Sequence, residues 1–176
     1  MSVYSEDEMR RAIPNSLFKA GLVLGLGFGG FADGIVLHQI LGWHHLICIT
    51  QHCQPTSIQH LQQQNTQDGF FHLAVWIVSL LGTGMLFRAA QQPNARWSGR
   101  LLVGAMFVGW GIFNLMEGII DHQILGIHHV LPGHPRQFTW DMLFLTSGAV
   151  FVFVGWVLIR NVLNRPNPKL PNPQQH

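Results

Sequence analysis

The chain predicts an all-α integral membrane protein, a four-helix bundle made of two parallel two-span repeats with pseudo-two-fold symmetry. Three observations carry that expectation. The 176 residues are 48% hydrophobic and only 10% charged, with a mean hydropathy of +0.23, more apolar than an ordinary soluble domain. Four long apolar stretches run through the chain. A phrase is also written twice: FADGIVLHQILGWHH from Phe31 to His45 and LMEGIIDHQILGIHH from Leu115 to His129, 84 residues apart and identical at nine of 15 positions.

The elements follow in order. Residues 1–16 are polar and read as a cytoplasmic tail, residues 17–163 as the membrane domain, and residues 164–176, which alternate Pro and Asn, as a flexible cytoplasmic tail. Repeat one covers about 17–88 and repeat two about 100–160. The first span runs from Leu17 to about Leu41. Lys19 before an apolar run could open a signal peptide, but no Ala-x-Ala-like cleavage site follows and the run contains the first copy of the phrase, so it reads as a mature span. Gly21, Gly25 and Gly29 recur every fourth residue, with Gly30 and Gly34 in a second row, and such small residues let helix backbones approach closely in lipid.

The loop that follows carries Cys48, Cys53 and the Gln-rich stretch Gln59 to Gln67. A disulfide between the cysteines, two free thiols and a thiolate copper site all remain open. The second span is Phe70 to Phe87, the third Leu101 to about Ile120 and the fourth Met142 to Ile159, close to the ~20 residues a bilayer requires. None alternates apolar with polar residues, so strands do not compete.

Orientation follows from the basic residues. Of ten Lys and Arg, nine lie in the N-terminal region (Arg10, Arg11, Lys19), the middle connection (Arg88, Arg96, Arg100) or the C-terminal region (Arg160, Arg165, Lys169); only Arg136 lies elsewhere. Both termini and the middle loop are therefore expected in the cytoplasm, and the chain in a bacterial inner membrane as a multi-pass protein in contact with the lipid bilayer. No basic stripe interleaved with aromatics is present, which excludes nucleic acid. With two spans each, the repeats enter the membrane in the same direction, about an axis along its normal. Asp68 and Asp141, one before each even-numbered span, make a further matched pair.

Helix rise places the repeated polar residues. At ~1.5 Å per residue, Asp33 lies roughly 21 Å beyond Lys19 and Glu117 roughly 25 Å beyond Arg100, in the outer third of a core ~30 Å thick. Ten of the eleven histidines gather on this outward side; His176 does not. On an α-helix Asp33 would share a face with His44 and Glu117 with His128, while His38 with His45 and His122 with His129 would occupy a second face about 120° away. A shared centre should then draw on several helices, or on a chain bent at Gly42 and Gly126. Asp68 and His72 share a face and could point at the same place. His52, His60 and His134 read as solvated loop residues, and Trp97 and Trp140 suit an interfacial belt.

Imidazoles and carboxylates in an apolar setting suit zinc, iron or copper, and a cation keeps a membrane carboxylate ionised. The candidate metal set is Asp33, His38, His44, His45, His72, Glu117, His122, His128 and His129. The five-residue spacing of carboxylate and lone His departs from the three-residue spacing of soluble di-iron bundles. Three functions fit: a metal-binding protein or metalloenzyme, a haem-binding electron carrier with His38 and His122 as axial ligands, and a proton or ion transporter. The last lacks a ladder of ionisable residues on its cytoplasmic half. Whether the protein is an enzyme stays open, as does self-association into an oligomer.

The strings FADGIVLHQILGWHHL and FNLMEGIIDHQILGIHHVLPGH, followed by WDMLF, resemble the bacterial predicted membrane proteins grouped as domain of unknown function 2243. The resemblance covers nearly all of Leu17 to Ile159 and implies a four-span membrane protein. Genes of that family sometimes stand beside those for cytochrome oxidase assembly, which implies copper or haem handling and a partner related to a respiratory oxidase. It implies no established activity.

Overall fold

A computed structural model of the protein describes residues 15–48, 53–92 and 97–163. The two tails up to residue 14 and from residue 164, together with His52 and Arg96, lie outside the described residues. The described residues form four long helices and no strand, and all four are long and apolar enough to cross a membrane. Helix α1 spans Asn15–Ala32, α2 Ile58–Ala90, α3 Gly99–Glu117 and α4 Gln137–Leu163. Two of them change pitch at their ends. Helix α1 continues as a π-helix over Asp33–Ile40, and α3 as a π-helix over Gly118–Leu125.

Helix α2 begins well before the expected Phe70. Ser57 caps it, its hydroxyl accepting from the His60 backbone N–H at 3.1 Å, and the glutamines that read as a loop elaboration form its first turns. The buried Gln64 amide donates to the Cys53 carbonyl at 2.8 Å, so this part of α2 has a tertiary anchor. As a result Asp68 sits inside a helix instead of in front of one. Ser98 caps α3 in the same way as Ser57 caps α2.

The helices pack as α2 on α1, α1 on α3 and α3 on α4. Helices α1 and α3 bury more of their length than α2 and α4 do. Glycines make the central crossing. A Cβ on Gly25 would run into the Met106 backbone, and one on Gly109 would stand 2.9 Å from the Leu26 nitrogen. Helix α3 meets α4 at a similar seam, where a Cβ on Gly148 would come within 3.0 Å of the Gly111 carbonyl oxygen. With no net hydrophobic drive between helices in lipid, contacts this close supply the packing energy. The outer faces carry exposed Phe70, Trp76, Leu81 and Phe153, as a lipid-facing surface requires.

Candidate metal centre

The change of pitch builds the site. In an α-helix residues five apart point about 140° apart, whereas π-helical bonding runs from i to i+5 and brings such residues over one another. Leu41 N–H accordingly donates to the Val36 carbonyl at 2.9 Å. Asp33 and His38 come together, with His38 Nε2 3.0 Å from Asp33 Oδ2. The chain then turns at Gly42 and Gly126, both in the left-handed region at φ 56° and 58°, where a side chain would be strained. These turns fold His44 and His128 back over the helix ends. His44 Nε2 lies 3.8 Å from Asp33 Oδ1, and His128 Nε2 3.4 Å from Glu117 Oε1.

Four imidazoles and two carboxylates meet here. The rings of His44 and His128 stack at 4.8 Å with 9° between planes, His38 stands edge-on to His44 at 4.7 Å, and His122 edge-on to His128 at 5.0 Å. His38, His44, His122 and His128 are 2% exposed or less, Asp33 4% and Glu117 7%. Phe71 stacks on His38 and Phe144 lies against His122.

Outer partners aim the rings. His38 Nδ1–H donates to Asp68 Oδ1 at 3.0 Å, His44 Nδ1–H to the Val130 carbonyl at 2.9 Å, and His128 Nδ1–H to the Leu46 carbonyl at 3.1 Å. His122 Nδ1 faces Asp141 Oδ1 at 3.6 Å. Carboxylates and carbonyls only accept, so Nδ1 of His38, His44 and His128 carries a proton, and in the neutral ring the Nε2 lone pair then faces inward. Burial drives the His44 imidazole down to about 4, and burial lowers His128 as well. Both are therefore neutral at pH 7, the form that binds cations.

Among the described residues the inward atoms lack partners. His38 Nε2, His44 Nε2, His122 Nε2, His128 Nε2, both oxygens of Asp33 and Glu117 Oε2 are buried without a hydrogen bond, as is His122 Nδ1 on the side of Asp141. The 3.0 Å contact between His38 and Asp33 is close but lacks hydrogen-bond geometry. Leaving such groups bare costs on the order of 1–3 kcal/mol each. Donor atoms that share one cation at ~2 Å stand roughly 3 to 3.5 Å apart; the His38–Asp33 and His128–Glu117 contacts have that spacing at 3.0 and 3.4 Å, and the His44–Asp33 contact is wider at 3.8 Å. Among the described residues, Asp33, His38, His44 and Glu117 form one group able to hold a metal ion, and Glu117, His122 and His128 a second.

A family model described as predicted membrane protein (DUF2243) matches residues 20–162. The chain belongs to that family. No curated protein and no solved structure matches it.

Of the nine candidate ligands in this DUF2243 chain, six converge. His45 and His129 do not join them: their Nδ1–H groups donate to Asp68 Oδ2 at 2.6 Å and to Asp141 Oδ2 at 2.7 Å. His72 also stands outside, donating from Nδ1 to the Asp68 carbonyl one turn back at 2.7 Å. The α-helical separation of Asp33 from His38 is corrected by the π-helix. Its trace in the sequence is the five-residue spacing, present in both copies. The orienting role of Asp68 and Asp141 was legible only as a matched pair. Asp68 also accepts from the Leu46 backbone N–H at 2.9 Å and the Gln39 amide at 3.3 Å; Asp141 accepts from Val130 N–H at 3.0 Å and the Gln123 amide at 3.5 Å. The His60 ring accepts from the Thr56 backbone N–H at 3.4 Å and the His134 ring from the Arg136 backbone N–H at 3.1 Å, and Cys48 is joined to Cys53 by a disulfide.

Proposed function

We propose that this protein is a membrane metal-binding protein, a metalloenzyme or metal-handling factor, whose centre is formed by His38, His44, His122 and His128 through Nε2 and by Asp33 and Glu117. The observation that carries it is the buried set of inward-facing donor atoms without partners among the described residues, with His38, His44 and His128 each hydrogen-bonded on the other side of the ring and His122 facing Asp141 there at 3.6 Å. Ligating histidines are held in this way by carboxylates and carbonyls, which fix the tautomer. Zinc, iron and copper all accept such ligands, and a cation would stabilise the two buried carboxylates. The imidazoles pack ring to ring with His44 between His38 and His122, which favours an ion over a haem bound by those two residues. A continuous proton path would need ionisable groups toward the other membrane face, and the sequence has no such ladder there.

The same reading relates the hairpins as parallel repeats about a pseudo-two-fold axis. Its support is reciprocity: His44 bonds the Val130 carbonyl while His128 bonds the Leu46 carbonyl, and 84 residues separate each pair of equivalents. The basic-residue pattern supports a centre on the outward side of a bacterial inner membrane with cytoplasmic termini. A partner related to a respiratory oxidase is proposed on the family resemblance alone. Elemental analysis of detergent-purified protein tests the metal. Stoichiometric zinc, iron or copper is expected, with at least a tenfold loss of affinity in His44→Ala; protein that takes up no metal from any of the three would refute the proposal.

A further inference from the structure

The geometry points to a dinuclear centre in which Glu117 bridges two cations, one held by four protein ligands and the other by three. This rests on the metal-binding reading and adds to it the number of ions and the place of the open coordination position. Asp33, His38, His44 and Glu117 present donor atoms all within 4.8 Å of one another, and so do Glu117, His122 and His128. Neither group contains both His38 and His122, and Glu117 alone belongs to both. Two oxygens let it serve both: Oε1 faces His128 Nε2 at 3.4 Å, and Oε2 is buried without a hydrogen bond. Its counterpart in the first copy is Asp33, one methylene shorter, which contacts His38 and His44 of its own half.

The two positions differ in kind. Four protein ligands close a tetrahedral site, as in structural metal sites, while three leave a position for water or a small Lewis base, as in catalytic ones. The exchangeable ligand therefore binds the ion held by Glu117, His122 and His128, beside Phe144. The first ion, beside Phe71 and with Asp68 behind His38, is the fixed one.

The full chain, purified in detergent and stripped with chelator, is titrated with Co(II), and bound metal is counted after gel filtration. Two ions per chain are expected in the wild type. One is expected in His122→Ala/His128→Ala, which keeps the four-ligand position. X-ray absorption on wild-type protein needs no substitution and should show a metal–metal vector of about 3.5–4 Å. One ion per chain at saturation, or two without that vector, overturns the bridge and leaves the metal-binding reading standing. No bound ion overturns both.

Discussion

The two hairpins build the same socket twice, and three of their differences bear on how firmly it is held. In each, a π-helical His faces an Asp on the following helix, a second His donates to the same Asp, and a backbone N–H completes it. The first difference is tightness: His38 to Asp68 is 3.0 Å, His122 to Asp141 3.6 Å. The second is the loop. Cys48 N–H donates to the Ile127 carbonyl at 2.8 Å, and the equivalent position in the second half is Pro132, which has no N–H to return the bond. The third is that His72 of α2 stands where α4 has Leu145. What is common aims four imidazoles inward. What differs makes one half the firmer ligand set and the other the looser one.

The seam that holds the halves together should be the most sensitive place. Gly109→Leu drives a side chain into the Leu22 and Leu26 backbone, which cannot yield as a flexible side chain would. A loss of over about 3 kcal/mol is expected, read as loss of monodisperse protein in detergent. Gly84→Ala is the control, since a Cβ there meets nothing within 4 Å and should add about 0.5–1 kcal/mol. Comparable losses in both variants would mean that the α1 and α3 crossing does not hold the halves in register.

Next come the orienting aspartates. Asp68→Asn keeps the shape of the side chain and removes the charge that aligns His38 and His45, and metal affinity should fall about 10–100-fold. Asp141→Asn should lie at the low end of that range, because His122 is already the more loosely held. Competition with a chromophoric chelator measures both. A larger loss in Asp141→Asn would reverse the assignment of firm and loose halves.

Much of the fold was legible beforehand, because apolar length reveals spans, and a phrase repeated at nine of 15 positions points to the polar residues that lie together. The convergence of Asp33 on His38 was not, since α-helical periodicity places them on different faces and only the switch in backbone bonding unites them. The separate roles of the two rings in each His pair were not legible either: a paired His reads equally as two ligands or as a ligand and its supporting partner, and only the turn at Gly42 or Gly126 sends one ring inward and the other to an aspartate. The start of α2 was hidden because glutamines serve equally in loops and in solvated helix turns.

A smaller effect is expected from the cysteine loop. Closing so short a loop, with a sequence separation of five, stabilises by about 2 kcal/mol through the unfolded chain. Cys48→Ser/Cys53→Ser should lower thermal stability by about that amount and leave metal content intact, because the Leu46 carbonyl that orients His128 lies before the bridge. Loss of metal on reduction, at a temperature where the fold persists, would show that the bridge is part of the centre.

The smallest effect should come from His72→Leu, and it tests the comparison most directly because it gives the first half the residue of the second. His72 packs against Gly34, where a Cβ would stand 2.8 Å from its Nε2; Leu145 packs against Gly118, where a Cβ would crowd its Cδ2. The two side chains therefore fill the same slot between an inner and an outer helix. The ring's one hydrogen bond goes to a carbonyl of its own helix, four residues back. Removing it leaves that carbonyl its helical partner, so a change within about 1 kcal/mol is expected and Co(II) stoichiometry should stay the same. If His72→Leu instead loses an ion, the first half uses its extra imidazole as a ligand, and the asymmetry between the hairpins lies in ligand number more than in how firmly shared ligands are held.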